Sequence, residues 1–109
     1  TEGSQLRDFI YIDDVVNAIV NSLNNKDIHG KDFNIGSGLP LEIKSITKLI
    51  NKNIGSGKPL FGKIKMRKDE IKELFPNISK AKKKLAWRPK VKFAAGISKT
   101  INYYRNERY

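Results

Sequence analysis

Residues 7–16, Arg-Asp-Phe-Ile-Tyr-Ile-Asp-Asp-Val-Val, run β-favouring types straight into two acids and then into apolar residues at helical spacing. Phe9 and Tyr11 alternate with Ile10 and Ile12, which predicts a short strand. Asp13 and Asp14 follow where carboxylates accept the orphan N–H groups of a helix entrance and meet the positive end of its dipole. Val15, Val16, Ile19, Val20 and Leu23 then predict an amphipathic helix from Asp14 to about Asn24. Arg7 becomes a fixed cation beside that entrance.

The remainder alternates short strands and helices. Phe33-Asn34-Ile35 reads as a second strand stopped by Gly36-Ser37-Gly38, and Leu41 with Ile43 as a third. Ser45 is the expected N-cap of a helix buried through Ile46, Leu49 and Ile50 and ending near Gly55. Leu60 to Met66 alternates weakly as a strand, and Asp69 to Phe75 reads as a loop or single helical turn. Asn77 is positioned to cap a helix from Ile78 to Ala86, with Ile78, Ala81 and Leu85 on one face and lysines on the other. A last helix is expected from about Phe93 to Arg105, where Gly96, costing about 1 kcal/mol relative to Ala, signals close packing or a slightly later start.

At 109 residues the chain has room for one core, here without any cysteine to staple it. Its 39% hydrophobic content and regular spacing exclude a disordered composition. No apolar run approaches the roughly 20 residues needed to cross a bilayer, and the start is polar, so a cytosolic location is expected. The formal net charge of +11 attracts polyanions and phosphorylated ligands alike. Much of it lies in Lys80, Lys82, Lys83, Lys84, Arg88, Lys90 and Lys92, which is the pattern of a solvated helix face. Trp87 and Phe93 suit helix-end packing better than base stacking.

Several apparent motifs fail on their own chemistry. Gly57-Lys58 imitates the end of a phosphate-binding loop, but position 52 is Lys and position 59 is Pro. Neither Ile-Gly-Ser-Gly copy completes a dinucleotide fingerprint, because Leu41 and Leu60 stand at the third glycine. His29, the sole histidine, has no cysteine or second histidine beside it for a metal.

The motifs that survive share an order. Arg7-Asp8-Phe9-Ile10 with Asp14-Val15, Phe33-Asn34-Ile35-Gly36-Ser37-Gly38, Arg67 with Glu70, Ser79-Lys80-Ala81, Leu85-Ala86-Trp87-Arg88-Pro89, and Gly96 with Ile101 and Tyr103-Tyr104 follow one another along nearly the whole chain. Together they resemble the later part of NAD-dependent nucleotide-sugar epimerases and dehydratases, the extended short-chain dehydrogenase/reductase family. Two positions depart from the family pattern: Asn77 replaces an acid that precedes Ser-Lys-Ala, and Glu70 is one methylene longer than the usual Asp.

The resemblance implies a small mixed α/β fold of about four helices and several short strands, forming over residues 1–109 a single C-terminal substrate-binding part whose NAD-binding Rossmann domain lies outside this chain. It implies that Arg7 and Arg67 grip the diphosphate of a nucleotide sugar, that Glu70 touches the ribose and that Phe9 lines the pocket. Forked guanidinium donors match phosphate oxygens and stay charged at any working pH, so the chemistry suits those roles. Structural accounts stand beside them: an ion pair of Arg7 with Asp8 or Asp14, a solvated Arg67, a surface Glu70 between Lys68 and Lys72, and Phe9 as plain core. The family's Tyr-x-x-x-Lys pair is missing, since Val15, Glu107 and Arg108 stand four residues after Tyr11, Tyr103 and Tyr104. The chain alone is therefore expected to be inactive, with no catalytic residue, cofactor or metal of its own. The parent would be a homodimer using NAD(P) to make precursors of cell-surface polysaccharide. A free-standing basic nucleic-acid module and a self-associating scaffold are the rival readings.

Overall fold

The computed structural model describes residues 1–107 and leaves Arg108 and Tyr109 outside the described part. Strand β1 (Leu6–Asp8) leads into helix α1 (Ile12–Leu23); a short 3-10 turn at Lys26–Ile28 and an extended passage precede β2 (Pro40–Glu42) and α2 (Ile43–Ile54). Strand β3 (Glu73–Leu74), α3 (Ser79–Lys84) and α4 (Phe93–Asn106) complete the order. The sheet runs β2-β1-β3, antiparallel between β1 and β2 with Arg7 opposite Leu41, and parallel between β1 and β3 with Arg7 opposite Leu74.

The expected strands moved to wherever a ladder partner exists. Strand β1 lies earlier than the Phe9–Ile12 alternation suggests, because α1 already begins at Ile12. Phe33–Ile35 carries strand-type side chains, yet no ladder forms on it among the described residues. Leu60–Met66 is turns and coil rather than a strand, while Glu73–Leu74, expected as loop or helical turn, pairs with β1. Backbone pairing rather than side-chain type decided these segments. Helix α2 starts at Ile43 with Glu42 as cap residue, and Ser45 donates from Oγ to Glu42 Oε2 at 2.8 Å instead of capping. Asn77 does take the Ser79 N–H at 3.0 Å, although Ile78 is the cap residue of α3. Gly55 ends α2 with φ +78°, a left-handed position that favours glycine.

The core is small: Ala18, Ile28, Ala81, Leu85 and Trp87, with Ile10, Phe33 and Ile35 packed against it. As expected, α3 buries Ile78, Ala81 and Leu85 and exposes its lysines. Gly96 is buried, and a Cβ there would stand 3.3 Å from Tyr11 Cδ2, so close packing explains it. Helix α1 reverses the expected polarity. It buries Asp14 and Ala18, while Ile12, Val16, Ile19, Val20 and Leu23 face solvent, Leu23 at 75% exposure. The radius of gyration is 16.7 Å, against about 13 Å for a compact domain of this length. Accessible area is 8628 Å², against about 6,100 Å² for a closed monomer. Much apolar surface is left uncovered.

Candidate functional site

The parallel pairing of β1 with β3 brings the segment just before β3 against Arg7. Leu6 N–H donates to Lys72 O at 2.7 Å, and Arg7 Nη1 donates to Leu6 O at 2.7 Å, with a longer 3.5 Å approach to Lys72 O. Arg7 Nη2 reaches Glu70 Oε1 in a short ion pair. A turn closed by Glu70 N–H to Arg67 O, at 3.3 Å, turns Arg67 back so that its Nη2 donates to Glu70 Oε2 at 3.0 Å. One carboxylate, its side chain 12% exposed, thus holds two guanidiniums from positions far apart in the chain.

Arg7 is mostly covered and Arg67 is open, with side-chain exposures of 23% and 79%. Two cations with one anion leave the cluster net positive, and among the described residues most Arg67 donors are uncommitted. The arrangement can bind an anion, and its one carboxylate has both oxygens engaged in ion pairs. Tyr103, on α4, has its phenol pushed above the ordinary value, first by hydrogen bonding with Glu107, then by burial and by Tyr104. That direction opposes the lowering a phenolate base requires.

Phe9 makes its ring contact elsewhere. It meets Phe93 of α4 edge to face with centroids 6.0 Å apart, and together with Tyr11, Val91 and Ile97 it lines a cavity of about 190 Å³. The Arg7 pairs with Asp8 or Asp14 do not form, because both acids are committed to backbone. Asp8 accepts the Ser37 and Gly38 N–H groups, each at 2.7 Å. Asp14, 2% exposed, accepts Lys90 N–H at 3.0 Å and Val91 N–H at 2.9 Å, while its carbonyl takes Trp87 Nε1–H at 2.9 Å. Asp14 therefore ties down the loop after α3 instead of capping its own helix. The signal for this was the spacing of Asp14 and Ala18, four apart on the small-residue face of α1.

The basic run offers no stacking surface for bases. Trp87 is 4% exposed, and Lys80 Nζ lies 5.0 Å from the Phe33 ring centroid while donating to Asp32 O at 2.8 Å. The glycine loop is equally committed. The Ser37 and Gly38 N–H groups are taken by Asp8, and a Cβ at Gly36 would collide with Pro76, so these two amides are held by the carboxylate rather than offered to a pyrophosphate.

The family model of GDP-mannose 4,6 dehydratase matches residues 1–100. The chain belongs to this family. A family relative, UDP-glucuronate 4-epimerase from Thermodesulfobacterium geofontis, is 34% identical over 103 residues, 94% of this chain and 31% of that protein. CDP-abequose synthase from Salmonella muenchen is 35% identical over 104 residues, 94% of this chain and 35% of its own length. Among solved structures, UDP-glucose 4-epimerase from Thermotoga maritima, determined with UDP-glucose, superimposes with a TM-score of 0.84 at 31% identity, over 96% of this chain and 33% of that one. UDP-glucuronic acid 4-epimerase from Bacillus cereus, determined with UDP-glucuronic acid and NAD, gives 0.81 at 32% identity over 95% of this chain and 33% of that one. The chain spans about a third of the length of the relatives it matches. The resemblance carried by the motifs is borne out, as is the small mixed α/β fold with four helices and short strands.

Proposed function

We propose that this chain is the C-terminal, substrate-binding part of an NAD-dependent nucleotide-sugar epimerase or dehydratase, which by family serves in making polysaccharide precursors. Arg7 and Arg67 grip the diphosphate, Glu70 stands at its ribose end, and Phe9 lines the neighbouring apolar wall. NAD(P), the Rossmann domain and the proton-transferring residues belong to sequence outside these 109 residues, so this polypeptide alone is inactive. The observation that carries the reading is the convergence of Arg7 and Arg67 on one carboxylate from opposite ends of an interval of sixty residues. Remote contacts of this kind orient a substrate and thereby contribute to rate. The uncovered stripe of α1 and the unladdered Phe33–Ile35 segment support the same reading: both have the chemistry of surfaces that a larger sheet would cover.

Calorimetric titration with UDP, CDP, GDP and dTDP at moderate salt tests the proposal. Base-selective binding that is lost in Arg7→Ala supports it. Salt-sensitive binding to any polyanion, indifferent to base and to Arg7, sinks it and favours a basic nucleic-acid module.

A further inference from the structure

Glu70 does something in this structure that a ribose contact does not require. Its two oxygens are each given to a different guanidinium: Oε1 to Arg7, and Oε2 to Arg67 at 3.0 Å. Arg7 is also held by the carbonyls of Leu6 and Lys72, so its place is fixed by strand β1 and the parallel ladder. Arg67 has no such support. It is 79% exposed on a loop, and among the described residues its guanidinium makes no hydrogen bond except to Glu70. Two guanidiniums repel at this range, and an unheld arginine loses rotamer freedom when a ligand fixes it.

We infer that Glu70 is a positioning residue that assembles the two arginines into one clamp before a diphosphate arrives, tying the exposed Arg67 to the Arg7 that β1 holds. The inference rests on the reading of Arg7 and Arg67 as a phosphate clamp. It fixes a sign that simple electrostatics gets wrong. A carboxylate beside an anion site repels the ligand, so removing its charge alone would tighten binding; removing a positioning residue weakens binding, because the ordering of Arg67 then falls on the binding step. Glu70 suits the task because its side chain is mostly enclosed and its extra methylene lengthens its reach toward both partners.

The experiment is a titration of the chain with inorganic pyrophosphate, a probe that needs only the clamp, for the unsubstituted protein and for Glu70→Gln, Glu70→Asp, Arg7→Ala, Arg67→Ala and the double variant Arg67→Ala/Glu70→Gln. The Arg67 Nε–H signal is followed in 15N spectra of the same samples. Glu70→Gln is expected to weaken binding about tenfold, Glu70→Asp by an intermediate factor, and the Gln change to have a clearly smaller effect once Arg67 is gone. The Arg67 signal, dispersed in the unsubstituted chain, is expected to collapse toward the free-arginine position in Glu70→Gln. Should Glu70→Gln fail to fold, Glu70→Asp and its combination with Arg67→Ala carry the same comparison. Unchanged or tighter binding in the Glu70 variants, with both alanine variants still weakened, overturns the positioning role and leaves the clamp standing. Pyrophosphate binding that is absent from the unsubstituted chain, or indifferent to both arginines, overturns the clamp and the inference together.

Discussion

Asp14 and Glu70 are both enclosed carboxylates with both oxygens engaged, yet they are engaged on opposite kinds of partner. Asp14 accepts two backbone N–H groups, from Lys90 and Val91, and so closes the loop that the buried Trp87 also anchors. Glu70 accepts from two side-chain cations, one of them open to solvent. Backbone donors have nowhere else to go, so the first arrangement is structural. Guanidiniums keep further donors and can exchange partners, so the second is the one we propose as a ligand site.

The contrast is sharpest in stability. Asp14→Ala strands two N–H groups beside the buried Trp87 and is expected to cost about 2–4 kcal/mol in urea unfolding; Asp14→Asn, which keeps one acceptor oxygen, should recover part of that. Asp8→Ala releases the Ser37 and Gly38 amides, but in a more accessible place where water replaces the carboxylate, so the loss should be about 1–2 kcal/mol. Arg67→Ala should cost less than about 1 kcal/mol in unfolding, as loss of an exposed ion pair does, while weakening diphosphate binding. Val16→Asp, on the outer face of α1, should move stability by no more than about 1 kcal/mol, since that side chain is already half exposed. If Arg67→Ala destabilised the chain as much as Asp14→Ala, the distinction between the two acids would be lost.

Much of this was legible from sequence. The α3 face of Ile78, Ala81 and Leu85, the extent of α4, the Gly96 contact and the order of the family motifs followed from periodicity and residue type. Arg7, Arg67 and Glu70 were picked out by resemblance, and the structure brings all three together, with Phe9 engaged instead by Phe93. What the sequence could not supply was pairing. Glu73–Leu74 became a strand because β1 offered it a ladder, and Phe33–Ile35 did not because among the described residues nothing did. For the same reason the apolar stripe of α1 misled: hydrophobic spacing says that a face is to be buried, but not that its cover is in the same 109 residues.

The central claim, that ligand is gripped where β1 meets the Arg67–Glu70 turn, is tested most directly by amide hydrogen exchange with and without saturating UDP. Slowed exchange confined to residues 67–74 and to β1 is the predicted result. Protection that instead falls on the Gly36–Gly38 loop or on the lysine-rich stretch from Lys80 to Lys92, with the Arg67–Glu70 turn unchanged, would contradict it.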